Sequence, residues 1–186
     1  IVVDVQNDFC SPDGYLAKTG NDVSMVEAMI PRLEALIEGA RAGGVPVVFV
    51  QAIYDEHFLS GPWKERNIRR NLDVPRCVTG SWGADFYRVK PAGSDLVVRK
   101  HRYSAFIDTE LDMILRARGI ETLIMTGVAT NVCVESTSRD GFMKDYYIVF
   151  TDDATATTSR ALQEGTLQNI RDHFGVVVSS EEILKI

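Results

Sequence analysis

An acid, an amine and a thiol stand near the ends of three separate apolar runs. Asp4 lies in IVVDV (1–5), Lys100 directly follows DLVVR (95–99), and Cys133 comes after TLIMTGVATN at what reads as the start of a helix. In an open parallel sheet, ligands bind outside the carboxyl ends of the strands, so three such ends can meet at one crevice. There the three side chains would form a nucleophilic unit. A thiol in the first turn of a helix feels the positive end of the dipole, and the Lys100 ammonium nearby is expected to lower its pKa further. Asp4 would hold or accept the thiol proton, orient Lys100 and later activate a water. The turn GVATNVC (127–133) offers backbone N–H groups beside the thiol, which an oxyanion hole requires, and Gly127 permits a sharp exit from the strand. Each feature also has a plainer use: Cys133 as a small buried apolar residue, Lys100 as a surface charge, Asp4 as a strand-end cap, and Thr130 or Asn131 as an ordinary helix cap. Their coincidence at three strand ends favours chemistry.

The elements that must position these groups follow from hydrophobic patterning. Continuous β-branched runs recur at 1–5, 45–50, 95–99, 122–127, 147–151 and 176–178, without polar alternation, as expected of strands covered on both faces. Stretches with helical spacing lie between them at 22–44, 109–119, 131–145 and 159–175. The alternation predicts an α/β domain with a mostly parallel sheet. Asp108 or Thr109 is expected to cap the second helical stretch, Gly119 and Gly175 to end helices, and Pro31 to kink the first helix or divide it. The region 52–94 differs. Pro62, Pro75, Pro91 and several glycines interrupt a segment carrying Tyr54, Trp63, Trp82 and Phe86, which makes it a candidate substrate lid or interface.

Composition narrows the partners. The 186 residues hold 20 Lys and Arg against 26 Asp and Glu, a formal charge of −6, and no basic block longer than Arg69–Arg70. Electrostatic tracking of a nucleic acid or an anionic membrane is therefore not expected. No apolar run approaches the length of a membrane span. The chain opens on IVVDVQ without an initiator Met, so residues upstream are expected. Three scattered cysteines suit neither a disulfide framework nor a zinc site and point to free thiols in a reducing, cytoplasmic setting. Cys10 and Cys77 read as passive, although Cys10 is close enough in sequence to Asp4 to line a pocket with it. Asp55 and His57 superficially offer metal ligands, but His101 and His173 stand in unrelated contexts.

IVVDVQNDF (1–9), the lysine of RKHRYSAF (99–106) and GVATNVCVESTSRDGF (127–142) resemble the three signature segments of the isochorismatase-like cysteine hydrolases, in family order and over essentially the whole chain. The resemblance implies one three-layer α/β/α domain over 1–186 with a mostly parallel six-stranded sheet. It implies an Asp4–Lys100–Cys133 triad, a cis peptide at Val128–Ala129, and an oxyanion hole from the N–H groups of Ala129 and Cys133. Its activity would be hydrolysis of a C–N bond in a small amide, ureido or carbamoyl compound through a thioester on Cys133, without a cofactor, in a homodimer or homotetramer. Within the family, GSW (80–82), RYSAFIDTELD (102–112) and TNVCVESTSRDGF (130–142) look most like ureidoacrylate amidohydrolases. By that likeness Tyr103, Trp63 and Asn67 line the substrate pocket with Gln51 and Tyr54 nearby, while Ala52 replaces an asparagine. Nicotinamidases of the same family place an Asp-x-His metal motif where this chain has Ala52 and Tyr54, so no metal site is implied. The competing readings are vinyl ether hydrolysis of the isochorismate type, which needs no thiol, and a non-catalytic redox sensor built on Cys133.

Overall fold

In the computed structural model, which describes residues 1–70, 72 and 74–186, six strands form one sheet in the order β3-β2-β1-β4-β5-β6, every neighbouring pair parallel. The strands are β1 (Val2–Val3), β2 (Val48–Ala52), β3 (Leu96–Lys100), β4 (Thr122–Val128), β5 (Tyr147–Ala156) and β6 (Val176–Val178). Successive side chains point to opposite faces, and two separate cores result. Val3, Val48, Val50 and Met125 enter one of them, together with Leu111, Leu115, Leu167 and Ile170. Val2 and Phe49 enter the other, against Met29, Ile30 and Leu33. Helices therefore cover both faces, which is why the strand sequences are apolar throughout.

The face that carries Val2 and Phe49 is closed by α3 (Ser24–Ala42), after two single-turn helices, α1 (Asn7–Cys10) and α2 (Tyr15–Lys18). Pro31 does not divide the helix expected there: α3 is one helix of 19 residues. Pro31 faces solvent, where water can satisfy the carbonyl it leaves unpaired, while Met29, Ile30, Leu33, Leu36 and Ile37 keep the opposite side buried. Burial of each such side chain stabilises by roughly 1.5–3 kcal/mol.

The segment expected to be irregular contains a two-turn helix, α4 (Gly61–Arg69), with Pro62 in its first turn, and single 3₁₀ turns at Glu56–Phe58 and Trp82–Ala84. Residues 71 and 73 of that stretch lie outside the described residues. On the opposite face lie α5 (Leu111–Ala117), α6 (Glu135–Met143) and α7 (Arg160–His173), and α8 (Ser180–Leu184) ends the chain. Of the two caps expected before α5, Thr109 is the one that forms: its hydroxyl accepts from Leu111 N–H at 3.2 Å, whereas Asp108 adopts φ +54°. β5 continues five residues beyond YIVFT. Among the described residues no helix is long and apolar enough to cross a membrane.

Candidate active site

Asp4, Lys100 and Cys133 come together at the carboxyl edge of the sheet. Asp4 follows β1 at φ +51°, with its N–H donating to the Val50 carbonyl at 3.0 Å, so the chain turns there and its side chain is presented over the strand ends. Lys100 ends β3. Because β2 lies between β3 and β1, the lysine must span two strand spacings, close to 10 Å, to reach Asp4. It does so beside Ala52, its registered neighbour on β2, and its Nζ stands 2.7 Å from Asp4 Oδ2 and donates to the Arg102 carbonyl at 3.0 Å. Both side chains are sealed from solvent. The ammonium meets the carboxylate as an ion pair, and neither Asp4 oxygen receives a well-aligned hydrogen bond.

Cys133 sits in a π-helical turn, Thr130–Val134, that leads into α6, rather than in the plain helix expected over 131–145. Its carbonyl accepts from the Thr137 hydroxyl at 2.7 Å, and that same hydroxyl accepts from Ala105 N–H at 3.0 Å, tying the thiol-bearing turn to the loop after β3. The peptide bond between Val128 and Ala129 is cis. The Ala129 carbonyl accepts from the N–H groups of Val132 and Val134, at 3.0 and 3.3 Å, and passes over Cys133. The Ala129 N–H has no acceptor among the described residues. Wide turns of this kind leave backbone donors uncommitted.

The electrostatics correct one expectation. Burial pushes the Cys133 thiol up to about 12; the Lys100 ammonium pulls it down but Asp4 pushes it up, and the ammonium does not win. The resting group is thus a thiol, not the thiolate that helix position and a nearby lysine alone would give. Burial also raises Asp4 above the ordinary carboxylate range, against the pull of Lys100. For Lys100, burial acts downward, but the charges of Asp4, Cys133 and Tyr54 outweigh it and hold the ammonium protonated. Sulfur and carboxylate are both made reluctant to carry charge, so a proton can pass between them beside a cation that stays fixed.

A cavity of about 220 Å³ opens onto Cys133 and Asp4. Tyr54, Tyr103 and Ala129 line it. Trp63 does not: its ring packs between those of Tyr54 and Tyr103, 5.2 and 4.9 Å away, and braces them from behind. Asn67 accepts from Arg66 at 3.1 Å on α4, and Gln51 donates to the Ala84 carbonyl while accepting from Arg99, so neither lines the cavity. Ala52 is fully buried in a small core with Tyr54 and Cys77. Cys10 lies on the far side, in the core beneath α3. Asp55 is engaged by the N–H and hydroxyl of Thr79, at 2.8 and 2.7 Å, and the His57 ring packs on Phe58. Among the described residues no three His, Cys, Asp or Glu side chains converge as a metal-binding set.

Sequence reasoning missed several lining groups: Tyr15, Arg66, Arg70, Arg76, Asn131 and Thr157. Asp8 places two of them. Its carboxylate accepts from Tyr15 N–H at 3.2 Å and from Cys77 N–H at 2.6 Å, drawing α2 and the segment around Arg76 to one wall. The acid in IVVDVQNDF four residues past Asp4 was the available signal, since a half-buried acid beside a strand end needs donors.

A family profile described as "Isochorismatase domain" matches residues 1–182. The "Ureidoacrylate amidohydrolase RutB" of Methylobacterium radiotolerans is 42% identical over 95% of this chain and 74% of its own length. That of Yersinia enterocolitica is 40% identical over 97% and 85%. Among solved structures, a cysteine hydrolase from Pseudomonas syringae pv. phaseolicola superposes with a TM-score of 0.86 at 30% identity, covering 99% of this chain and 89% of that one. N-carbamoylsarcosine amidase from Thermoplasma acidophilum gives 0.77 at 28%, covering 97% and 94%.

Proposed function

The chain belongs to the isochorismatase domain family and is a cysteine amidohydrolase acting on C–N bonds, and from that premise we propose that Cys133, Asp4 and Lys100 carry its reaction on a small ureido or carbamoyl compound. Residues 1–186 work as one hydrolase domain in this reading. The observation that carries it is the meeting of a thiol, a carboxylate with a raised pKa and a fixed ammonium beneath one cavity.

Asp4 takes the thiol proton as the sulfur attacks the carbonyl carbon, and the N–H groups of Ala129 and Cys133 receive the oxyanion. The C–N bond breaks, and the departing nitrogen takes the proton from Asp4. A thioester on Cys133 remains. Asp4 then takes a proton from water, the hydroxide attacks the thioester, the C–S bond breaks, and the thiol recovers its proton from Asp4. Lys100 stays charged throughout and holds the carboxylate in place. Ureidoacrylate, named for the curated relatives, is the first substrate to try. Vinyl ether hydrolysis would leave the buried thiol without a role.

The three cysteines, all free and buried, support a reducing, cytoplasmic setting. A homodimer or homotetramer is the assembly this reading carries, supported by exposed Met113, Met143 and Tyr147 on the α5–α6 side.

The test is an ammonia-release screen over ureidoacrylate, N-carbamoyl amino acids, biuret-like compounds, nicotinamide and maleamate. Cys133→Ala should lose turnover at least about a thousandfold while staying folded. Retention of more than about a tenth of the rate by a pure Cys133→Ala sample overturns the assignment.

A further inference from the structure

Arg76 stands out among the groups that the reaction above does not use. Its side chain is more than nine-tenths buried, yet among the described residues no carboxylate or hydrogen-bond acceptor meets its guanidinium. A mostly buried guanidinium without an anion is costly, because its N–H donors give up most of their water without gaining an acceptor. What does hold it is aromatic. The charge lies over the rings of Tyr15 and Tyr54, 5.4 and 5.2 Å from their centroids, a clamp that fixes the plane and leaves its donor edge uncommitted. Both tyrosines and Arg76 line the cavity that opens on Cys133.

The surroundings agree in sign. Arg66 and Arg70 line the same cavity, whereas the one acid among its described lining residues, Asp4, is neutralised by Lys100. A cavity with three guanidinium groups, on a chain of net charge −6, collects anions against the protein's own field. Among the described residues the Tyr15 hydroxyl is a further buried donor without a partner, in the same wall. We infer that Arg76, clamped between Tyr15 and Tyr54, binds a carboxylate of the substrate, so that the enzyme selects ureido or carbamoyl acids over their neutral counterparts. This rests on the amidohydrolase reading for the reacting end of the substrate; the carboxylate would lie at the other end, set by the reach from Arg76 to Cys133. A planar fork meeting a carboxylate edge-on explains why arginine rather than lysine stands here.

Calorimetric binding of ureidoacrylate and of its uncharged methyl ester to the non-turning Cys133→Ser protein tests the assignment. The acid should bind at least about tenfold tighter than the ester, as a charge-assisted fork predicts. Arg76→Met should bring that preference to near one, and Arg76→Lys, which keeps the charge but loses the fork, should restore part of it. Thermal unfolding of each variant separates loss of fold from loss of recognition, and Arg76→Lys serves if Arg76→Met does not fold. Equal binding of acid and ester by Cys133→Ser, binding of neither, or an acid preference that survives Arg76→Met overturns the inference. Binding of the acid through Arg76 without hydrolysis by the wild-type protein would leave this inference standing and remove the assigned reaction instead.

Discussion

Lys100 reaches past the whole width of strand β2 to place its ammonium 2.7 Å from Asp4, and the residue it passes, Ala52, has a side chain small enough to lie beneath it without contact with the cavity. The acid and the amine are therefore one buried unit whose formation depends on the sheet order. Removing either partner strands the other as an uncompensated charge, at a cost of about 3–5 kcal/mol. Asp4→Asn and Lys100→Met should each lower the unfolding free energy by that order, and the double variant by less than their sum. In turnover, the double variant should be little worse than the worse single one. Chemical denaturation and steady-state rates on the four proteins check this; independent, additive losses would dissolve the unit.

The raised Asp4 pKa fixes the direction of the acid limb. Catalysis needs the carboxylate as base, so kcat/KM should fall as pH drops through a midpoint above the ordinary carboxylate value of 3.8. With the Cys133 thiol pushed up to about 12, alkylation of the resting protein by iodoacetamide should climb with pH and show no plateau up to about pH 9. Asp4 raises the thiol pKa and Lys100 lowers it. Asp4→Asn should accordingly speed alkylation, and Lys100→Met should slow it, although both abolish turnover. A mass-spectrometric rate of Cys133 modification across pH reads this out, and the same direction for both variants would contradict it.

Gly83 lies against the Asp8 carboxylate so closely that a Cβ there would overlap it. That carboxylate is not free to swing away, because it holds the N–H groups of Tyr15 and Cys77. Gly83→Ala should lose about 1–3 kcal/mol of stability. It should also raise KM more than it lowers kcat, since the wall it disturbs carries Tyr15 and Arg76 while Asp4 and Lys100 are held at strand ends and Cys133 in its π-helical turn. An unchanged melting temperature, or a loss confined to kcat, would show that the tie is slack.

What was legible in the sequence and what was not divide along the same physical line. Strand ends are set by continuous apolar runs such as VVV (176–178), which the structure reproduces residue for residue, and Asp4, Lys100 and Cys133 could be placed because each is adjacent to such a run. Arg76 and Tyr15 have no periodicity to announce them. They reach the cavity through hydrogen bonds to Asp8 from the N–H groups of Tyr15 itself and of Cys77, the residue after Arg76, seven and sixty-nine residues away in the chain. Likewise, helix position and a neighbouring lysine were visible near Cys133, but the burial that reverses their effect is a property of the packed molecule. Trp63, Asn67 and Gln51 were assigned to the pocket by likeness alone. Their side chains are committed to the aromatic stack with Tyr54 and Tyr103, to Arg66 on α4 and to the Ala84 carbonyl, respectively.

The fully buried Gln6 side chain accepts from Ala52 N–H at 2.7 Å and donates to the carbonyls of Ala52 and Ala84, each at 2.9 Å. One amide thus fastens both ends of the stretch between those two alanines, the stretch that carries Tyr54, α4 and Arg76. Chain inside that clasp can lengthen, shorten or change its residues while Asp4 and Lys100 stay at the ends of β1 and β3 and Cys133 stays in its π-helical turn. The fold so separates a fixed reaction from an exchangeable cassette of recognition, and transplanting the cassette between relatives would transfer taste for a substrate without rebuilding the chemistry.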